Sequence, residues 1–485
     1  MRLVIDKKTK IVATIGPSSD TPEMIEKLYD AGMNVARINF SHGTYEGQAQ
    51  KIEMIKAFEK EKGIYIPIAL DTKGPEIRTG LMENGKVELQ TGDILRIVPG
   101  EVLGNKERFS CSYPGLFDDV KVGDNILIDD GNLELVVREK DAKKRELVVE
   151  ATNSHPLKDK KSMNLPHSTL SMPFISKQDE EDIAFGIEHD VTVIFASFTR
   201  RPEDVLDMKN LLAKLGRPGL PVIAKIENPE GLEKLEEIVE IADGIMVARG
   251  DLGDEIAAEL VPLAQKRIID VCRRAGKPVI VATQMLDSMT THPRPTRAEV
   301  GDVATAINEG CDCVMLSGET ASGIYPEESV KMQARIARTM EEHLPYEFLA
   351  REAYETSLRT NNDAIANSIA NTALLIGAKL IINFSQTGRS SVRIAKARPC
   401  CPVISITSSR HACLNSGWVW GVYSVLIKTT MPDFVEEMEA LALKVARNLG
   451  LKAGDPVLLA GGTPTGAGNT NFMRILHVNE IRDYD

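Results

Sequence analysis

Lys225 and Glu227 stand one residue apart in the segment PVIAKIEN, residues 221–228. The apolar run predicts a buried strand, and because side chains alternate along a strand, the lysine and the glutamate point to the same side. Lys and Glu are seldom fully buried unless they are paired or bind something. Two opposite charges on one face, at the carboxyl end of a strand, therefore indicate either a local ion pair or part of a site.

Polar and charged groups also stand at the ends of four other predicted strands. They are Arg37, Asn39 and Ser41 in RINFS; Asp71, Thr72, Lys73, Glu76 and Arg78 in LDTKGPEIR; Arg249 and Asp251 in ARGD; and Thr283 and Gln284 in ATQ. Any one of these groups alone is better explained as a polar residue on a solvated loop. Five of eight predicted strand ends carry them, however, and the strand ends of a closed barrel meet at one mouth. We therefore expect them to converge.

Two of these carboxylates, Glu227 and Asp251, suit a shared metal ion. They follow neighbouring strands, which run about 4.8 Å apart, and no His or Cys lies nearby in the sequence. Oxygen ligands alone favour Mg²⁺ or Mn²⁺, which keep water and substrate oxygens in their shell. Lys225 and the arginines would then face an anionic substrate, and amides from Gly250 onward would receive a carboxylate if a helix begins there. Such a site favours phosphoryl transfer, which depends on positioning and charge neutralisation.

Eight short apolar runs, most of them followed by an amphipathic helical pattern, predict the elements that position these groups. Such a series favours a (β/α)8 barrel with its helices outside, and an open doubly wound sheet is the alternative. The predicted strands cover residues 10–16, 35–41, 66–72, 191–197, 221–227, 244–250, 278–284 and 313–319.

The pattern changes twice along the chain, which predicts three domains within 485 residues. Residues 74–171 alternate apolar and polar side chains with turns such as TGD and DDG, which predicts a small β-barrel lid inserted into a barrel of residues 1–73 and 172–345. Residues 346–485 begin a second α/β pattern, with a helix in DAIANSIANTALLIG and five later strands. That pattern predicts an open-sheet α/β domain.

Composition restricts the class of function. A formal charge of −12 argues against general affinity for nucleic acid or anionic membranes. The absence of a membrane-length apolar run and of a signal-peptide core in MRLVIDKKTK predicts a cytoplasmic protein. Of the seven cysteines, Cys311 with Cys313 and Cys400 with Cys401 could pair in metal or redox chemistry, but we favour buried thiols in a reducing compartment.

Several longer motifs, in this order along the chain, resemble the pyruvate kinase family: KIVATIGPSS, ARINFSHG, ALDTKGPEIRTG, KIENPEG, IMVARGDLG, KPVIVATQMLDSM and LSGETASGIYP. The resemblance implies transfer of phosphate from phosphoenolpyruvate to ADP, a need for Mg²⁺ (or Mn²⁺) and K⁺, and a homotetramer. Two other readings of the site are a metal-dependent lyase or aldolase that handles a pyruvate enolate, and an inactive metabolite-sensing homologue.

The resemblance also implies roles for single residues. Glu227 and Asp251 would hold the divalent metal, and Lys225 would stabilise the phosphoryl group in flight. Gly250 and Asp251 would receive the substrate carboxylate, and Thr283 would line the face of the enolpyruvate that is protonated. The remaining assignments are Arg37 to phosphate contact and catalysis; Asn39, Phe40, Ser41, His42, Arg78 and Lys161 to the nucleotide; and Asn39, Ser41, Asp71 and Thr72 to K⁺. A glutamate at position 76 marks the K⁺-dependent members, whereas members with lysine there tend not to need the ion.

The chain also departs from the family pattern. Asp254, Ala257 and Leu260 replace an apolar residue, a proline and a lysine, and Ser162 replaces a glycine beside Lys161. In the third domain, FSQTGRSSVRIAKARP predicts a loop before a helix, where Thr387, Gly388, Arg389 and Ser390 would hold a phosphorylated effector. The alternative is an ordinary turn between strand and helix. The later segment GGTPTGAGNTN, residues 461–471, resembles the family's effector loop in position only.

Overall fold

Eight parallel strands close into a barrel that winds in the order of the chain. The computed structural model describes residues 3–166, 168–463, 466 and 470–478. Each barrel strand pairs with its neighbours in the chain, and the eighth pairs with the first. The (β/α)8 prediction is therefore confirmed, and the open sheet is excluded. The strands are Lys10–Thr14, Val35–Asn39, Ile68–Asp71, Val193–Ala196, Val222–Ile226, Gly244–Ala248, Val279–Ala282 and Cys313–Leu316.

Helices surround the barrel, and local capping explains where the first of them begins and ends. Thr21 accepts a hydrogen bond from the amide of Met24, Pro22 occupies the first turn, and Gly32 ends the helix at a positive φ of 121°. The α-helices of this part are Pro22–Ala31, Tyr45–Lys62, Lys177–Glu188, Pro202–Lys214, Pro229–Glu233, Leu235–Ile241, Arg249–Glu255, Val261–Ala275, Arg297–Glu309, Gly318–Ala321 and Pro326–Glu342. Short 3₁₀ turns lie at Ala258–Leu260 and Asp287–Thr290.

Apolar side chains fill the inside of the barrel. All five residues of Val222–Ile226 are buried, because the barrel core covers one face of the strand and the helices cover the other. The inward-facing cluster includes Val35, Phe195, Ile223 and Met246, each without exposed surface. This packed interior leaves the mouth at the carboxyl ends of the strands as the place where polar groups can meet.

The insert between the third and fourth barrel strands consists mainly of β-strands, as the alternation predicts. Its strands bury every second residue, as in Glu146–Ala151, and pack around their own apolar core. One sheet runs in the order Met163–Asn164, Asn125–Ile128, Leu133–Asp141, Glu146–Ala151, Ile94–Ile97 and Arg108–Phe109. A second ladder pairs Lys86–Glu88 with Pro156–Lys158, and the insert also contains the 3₁₀ turn Glu83–Gly85 and the helix Leu116–Asp119.

The third part of the chain contains the predicted open sheet. Its spatial order is Val422–Leu426, Val403–Thr407, Leu380–Phe384, Pro456–Gly461 and Phe472–His477, and only the last strand is antiparallel. Its helices are Tyr346–Glu355, Asn361–Ile376, Arg389–Lys396, Arg410–Asn415 and Val435–Asn448. The segment DAIANSIANTALLIG forms most of the second helix, which Gly377 ends in the left-handed region. The domain boundaries that we expect after residues 73, 171 and 345 stay predictions.

A buried ion pair joins this sheet domain to the base of the barrel. The guanidinium of Arg398 lies 3.1 Å from a carboxylate oxygen of Asp312, and both side chains are less than a tenth exposed. The same carboxylate accepts a hydrogen bond from the amide of Trp420. In the part of the chain that the structure describes, no helix combines the length and the apolar character that crossing a membrane requires.

Candidate active site

Four charged side chains form a row across the mouth of the barrel. Arg37 Nε lies 2.6 Å from Asp71 Oδ2, and the other oxygen of Asp71 lies 3.1 Å from Lys225 Nζ. Lys225 Nζ in turn lies 3.0 Å from Glu227 Oε1. All four residues are at most 9% exposed. The charges alternate in sign, so the ion pair that the sequence offered as an alternative is present, and it belongs to a larger cluster.

Two hydroxyl residues that the sequence analysis did not select complete this row. Ser197 Oγ accepts a hydrogen bond from Lys225 Nζ at 2.7 Å and lies 2.6 Å from the carbonyl of Thr72. Thr14 Oγ1 accepts a hydrogen bond from Arg37 at 2.9 Å. Thr14 ends the strand Lys10–Thr14, and Ser197 directly follows the strand Val193–Ala196, so their position at a strand end is the signal that could identify them.

Burial and charge oppose each other at the centre of the row. Burial raises the pKa of Asp71, but the charges of Arg37 and Lys225 outweigh it and hold the pKa below its usual value. Burial also lowers the pKa of Lys225, but Asp71 and Glu227 outweigh that effect and raise it. Both groups are therefore charged at neutral pH, and Lys225 presents a fixed positive charge at the mouth.

Glu227 differs from Asp71 because its environment disfavours the charge. Burial raises its pKa to about 7, and Asp251 contributes to the increase against the opposing effect of Lys225. The amide of Phe198, a residue with a φ of 55°, donates to Oε2 at 2.5 Å. Oε1 has no hydrogen-bond donor beyond the nearby ammonium of Lys225. A buried carboxylate beside a second one is the arrangement that a divalent cation stabilises.

The loop after the seventh strand meets the short helix that carries Asp251. That helix, Arg249–Glu255, begins where the sequence analysis required it. The amide of Gly250 donates to Thr283 Oγ1 at 2.7 Å, and this hydroxyl lies 2.6 Å from the carbonyl of Ala282. Thr283 and Gln284 have φ values of 71° and 53°, which is a strained conformation for residues other than glycine. The hydroxyl of Thr283 is thus held in place at the start of the helix that carries Asp251.

Arg249 does not face the mouth, contrary to the expectation that the strand-end arginines contact the substrate. Its guanidinium lies 2.6 Å from Asp302 and donates to the carbonyl of Thr283 at 2.7 Å. The partner Asp302 lies on the helix after the seventh strand, outside the strand-end pattern, so no pattern in the sequence predicts this pair. Arg249 therefore holds the strained loop that positions Thr283.

The residues assigned to the nucleotide lie partly on the insert. Arg78 is bound to Glu76 at 2.5 Å and donates to the carbonyl of Lys160. Lys161 Nζ lies 2.7 Å from Asp129, which Lys158 and His155 also contact. These basic side chains are already paired with carboxylates, and about 40% of the Arg78 and Lys161 side chains is exposed.

The remaining residues of this group surround the end of the second strand. Asn39 pairs in register with Asp71 of the neighbouring strand, and its side-chain oxygen accepts from the amide of Ser41 at 3.0 Å. The hydroxyl of Thr72 accepts from the amide of Ser197. The oxygens of Asn39, Ser41, Asp71 and Thr72 are thus brought to one edge of the mouth. Phe40 and His42 follow the same strand; the Phe40 ring packs on Phe185, and the carbonyl of His42 accepts from Gln48.

A cleft of about 390 Å³ separates the barrel mouth from the insert. Residues from both sides line it, including Glu76, Ser162, Asn164, Arg200, Asp251 and Glu255. Burial raises the pKa of Asp254 to about 6 and that of Glu255 to about 7, and Asp251 adds to both increases. Asn164 of the insert donates to Glu255 at 2.8 Å. The departure at Asp254 therefore adds an acid beside the proposed metal ligands.

Within the described residues, no three His, Cys, Asp or Glu side chains form a group that could by itself hold a metal ion. A divalent ion bound by Glu227 and Asp251 would therefore take its other ligands from water and substrate. Mg²⁺ sites of enzymes that handle phosphates are usually of this kind.

The predicted effector loop forms a turn before the helix Arg389–Lys396. Gly388 has a φ of 78°, and its amide donates to Ser385 Oγ at 3.0 Å. Asn383 donates to Ser390 and Ser391 at 2.8 Å each. A small cavity is lined by residues including Gln386, Thr387, Arg389, Ser390 and Met431. Residues 464–465 and 467–469 of the segment GGTPTGAGNTN lie outside the described residues.

Two family models match the chain: "Pyruvate kinase, barrel domain" over residues 6–330 and "Pyruvate kinase, alpha/beta domain" over residues 363–476. The chain belongs to the pyruvate kinase family. The barrel model spans all five of the strand ends that carry polar groups, and it also spans the insert. The resemblance drawn from the motifs is therefore confirmed, and the enzyme class is that of a phosphotransferase.

Individual pyruvate kinases are similar over nearly the whole chain. The pyruvate kinase of Geobacillus stearothermophilus is 46% identical over 477 residues, which are 98% of this chain and 81% of the relative. That of Staphylococcus haemolyticus is 45% identical over 97% of this chain and 80% of the relative. That of Sporosarcina psychrophila is 44% identical over 98% and 81%. These relatives extend beyond the matched region.

Proposed function

We propose that this pyruvate kinase transfers the phosphoryl group of phosphoenolpyruvate to ADP, consumes one proton, and releases pyruvate and ATP. The observation that carries the proposal is the row from Arg37 through Asp71 and Lys225 to Glu227, which places a buried ammonium between carboxylates at the barrel mouth. Pyruvate formation that depends on ADP tests it. Pyruvate formation without a nucleotide would favour the lyase, and no turnover would favour the inactive homologue.

Lys225 is the residue that we assign to charge stabilisation during the transfer. Ser197 and two carboxylates fix its ammonium, so little reorganisation is needed when negative charge moves between the substrates. Arg37, held by Asp71 and Thr14, supplies a second fixed cation for phosphate contact. The two cations do not exchange protons, because their role is to position and neutralise the phosphoryl group.

Glu227 and Asp251 are the residues that would hold Mg²⁺ or Mn²⁺. The raised pKa of Glu227 fits a divalent ion, and so does its oxygen Oε1, whose one described polar contact is the ammonium of Lys225. When bound, the ion would neutralise charge on the substrate's oxygens. The protein itself contributes the two carboxylates and the short helix that presents Asp251.

Substrate orientation falls to the helix start and to Thr283. The amide of Gly250 already donates to Thr283 Oγ1, so a substrate carboxylate would bind the following amide of Asp251 or displace that hydroxyl. The hydroxyl of Thr283 can donate to only one acceptor at a time, and Ala282 occupies it here. Thr283 would thus line the face of the enolpyruvate that is protonated, and its hydroxyl would have a fixed orientation there.

The nucleotide would bind between the barrel mouth and the insert. Asn39, Phe40, Ser41 and His42 lie at the end of the second barrel strand and just after it, and Arg78 and Lys161 lie on the insert. For the two basic side chains to contact phosphates, they must exchange their present carboxylate partners, Glu76 and Asp129. This exchange offers a way for nucleotide binding to move the insert toward the barrel.

Asn39, Ser41, Asp71 and Thr72 are the residues that would hold K⁺. Oδ2 of Asp71 keeps lone-pair capacity beyond its bond to Arg37, whereas Oδ1 lies within hydrogen-bond distance of both Lys225 and Ser197. Asn39 lies opposite Asp71 in register. Such an ion, when bound, would help to screen the charge of two phosphorylated substrates.

We expect activity to require K⁺, and we expect Glu76→Lys to restore part of it in K⁺-free buffer, because an ammonium at this position would supply the missing charge. Glu76 pairs with Arg78 and lies 3.9 Å from Lys73, so the substitution also releases Arg78. Glu76→Gln is the matched control, because it removes the carboxylate that pairs with Arg78 but adds no ammonium. Rates are measured against K⁺ with a tetraalkylammonium salt holding ionic strength constant; full activity of the unmodified enzyme without K⁺ would reject the site.

We also propose that Thr387, Gly388, Arg389 and Ser390 bind a phosphorylated effector. The support is a cavity at the start of a helix of eight residues, with Arg389 as its cation. Ser390 would have to share its hydroxyl with Asn383. We also propose that the protein forms a homotetramer and is located in the cytoplasm.

For the effector loop, we expect Arg389→Ala to abolish the response to sugar phosphates and AMP while the rate without them stays within about twofold, because the loop lies in a different domain from the chemistry. The measurement is a set of rate and melting curves with a panel of these compounds. Arg393→Ala, one turn later on the same helix, serves as the control. If no phosphorylated compound changes the activity or melting temperature of the unmodified protein, the loop has only a structural role.

A further inference from the structure

Two adjacent cysteines lie in a loop of the sheet domain that contacts the base of the barrel. The segment RPCCP, residues 398–402, links the helix Arg389–Lys396 to the strand Val403–Thr407. Prolines flank the pair, and Arg398 has a φ of 49°, so the path of the loop is restricted. Arg398 also makes the buried ion pair with Asp312 of the barrel. Cys400 and Cys401 are therefore held at the contact between two domains.

The two thiols have different environments. Cys400 is partly exposed, whereas Cys401 is 5% exposed. The neighbouring thiol of Cys401 lowers the pKa of Cys400 to about 7 against the effect of partial burial, and the charges of Lys8 and Lys379 lower it further. The interaction between the two thiols, together with burial, raises the pKa of Cys401. One partly exposed thiol thus lies beside one protected thiol.

The position of Lys8 is fixed by contacts from both domains. Its ammonium lies 5.2 Å from the centre of the Tyr346 ring and 5.7 Å from that of the Trp420 ring, and 3.9 Å from a carboxylate oxygen of Glu341. A cation held in this way favours the thiolate form of Cys400 persistently.

The five other cysteines do not share this environment. Burial raises the pKa of each of them, Cys111, Cys272, Cys311, Cys313 and Cys413. The pair Cys311 and Cys313 is fully enclosed, and the thiol of Cys313 donates to the carbonyl of Trp418. The expectation of buried thiols therefore holds for Cys311, Cys313 and Cys401 but not for Cys400, which is partly exposed.

We propose that Cys400 and Cys401 form a redox pair in which a hydroperoxide oxidises Cys400 and Cys401 then resolves the product as a disulfide. In the first step, the Cys400 thiolate attacks the peroxide oxygen, the O–O bond breaks, and the leaving oxygen takes a proton to give water or an alcohol. In the second step, the thiol of Cys401 attacks the sulfenic acid; the S–S bond forms and a second water leaves. The peroxide is reduced by two electrons, and the two thiols lose two hydrogens.

The product would be readily reversed by thiols. Adjacent Cα atoms are about 3.8 Å apart, below the usual range of about 4.4–6.8 Å for a disulfide. Strained disulfides at accessible positions are the labile ones that regulate rather than stabilise. Arg398 lies two residues before Cys400, so formation of the disulfide would act on the loop that pairs with Asp312 of the barrel.

The test treats the full-length protein with a stoichiometric amount of hydrogen peroxide and then counts free thiols after denaturation. We expect the count to fall from seven to five, the mass to decrease by two hydrogens, and the peptide that contains Cys400 and Cys401 to carry the change. Dithiothreitol should restore all seven thiols.

Three variants locate the chemistry. Cys401→Ser should stop at a sulfenic acid that dimedone traps, and Cys400→Ser should lose neither thiols nor hydrogens. Cys111→Ser, which removes the other partly exposed cysteine, should form the disulfide as the unmodified protein does. Seven surviving thiols in the unmodified protein, an unchanged loss in Cys400→Ser, or a disulfide that joins two chains would each overturn the proposal. The peptide assignment in the unmodified protein holds even if a variant fails to fold.

Discussion

Lys225→Met should lower the rate of pyruvate formation by at least about 10³-fold while leaving a folded protein, because it removes a fixed charge that stabilises the transition state. The ammonium has two carboxylate partners and a hydroxyl partner, and a methionine of similar length can replace none of these contacts. The variant should still exchange the methyl protons of pyruvate, because Thr283 and the proposed metal ligands remain. Steady-state kinetics and proton exchange by NMR provide the two measurements.

Loss of stability is the competing explanation for a low rate in this variant. Removing one partner of a buried ion pair typically costs about 3–5 kcal/mol, although here Asp71 keeps Arg37 and Glu227 can take up a proton. Arg398→Met breaks a comparably buried pair far from the mouth and is the matched control. Lys225→Arg keeps the charge but not its position. Turnover near that of the unmodified enzyme in Lys225→Met would exclude the role assigned to Lys225.

The barrel could be predicted in detail because its strands have strong local signals. Each run such as PVIAKIE combines β-branched residues with a length suited to a strand, and eight runs with intervening helices leave few arrangements. The same argument brought Arg37, Asp71, Lys225 and Glu227 to one mouth before any geometry was known. The observed row confirms that these four side chains converge.

The missing parts of the site are those that depend on side-chain direction and on unusual backbone. The sequence alone does not single out Ser197 and Thr14, because a single hydroxyl after an apolar run is common. Only the contacts with Lys225 and Arg37 distinguish them. Arg249 has the same strand-end position as the other arginines but turns toward Asp302, a partner 53 residues later. Phe198 and Thr283 have positive φ angles, which residues of these types ordinarily avoid. Their residue types therefore do not predict this backbone conformation.

The paired state of the insert residues was also beyond the sequence. Lys161 shares Asp129 with Lys158 and His155, a contact that depends on how the strands of the insert curl. The i, i+2 spacing of Glu76 and Arg78 permitted their ion pair but did not require it. These contacts matter because a nucleotide bound at the proposed site would have to replace them.

Glu227→Gln should raise the Mg²⁺ concentration needed for half-maximal rate by about 100-fold or more, since it removes one of two anionic ligands. Asp251→Asn should act in the same direction. Glu319→Gln is the matched control, because Glu319 is also buried at a strand end and accepts amide hydrogen bonds, from Leu286 and Ser317. It should alter stability without altering the dependence on metal. Unchanged metal dependence in both Glu227→Gln and Asp251→Asn would contradict the shared-ion site.

The same substitution should change how the metal-free protein responds to pH. Burial raises the pKa of Glu227 from 4.5 to about 7, so between these values the unfolded chain releases a proton that the folded chain retains. Folding stability of the metal-free enzyme therefore falls as pH rises through this window and levels off above it. Glu227→Gln lacks the titrating group, so its folding stability should fall less as pH rises. Saturating Mg²⁺ should reduce the fall in stability of the unmodified enzyme, because the ion favours the charged carboxylate. Melting temperatures from pH 5 to pH 8, with and without Mg²⁺, measure the effect. Parallel curves for the enzyme and the variant would show that Glu227 does not cause the pH dependence of stability.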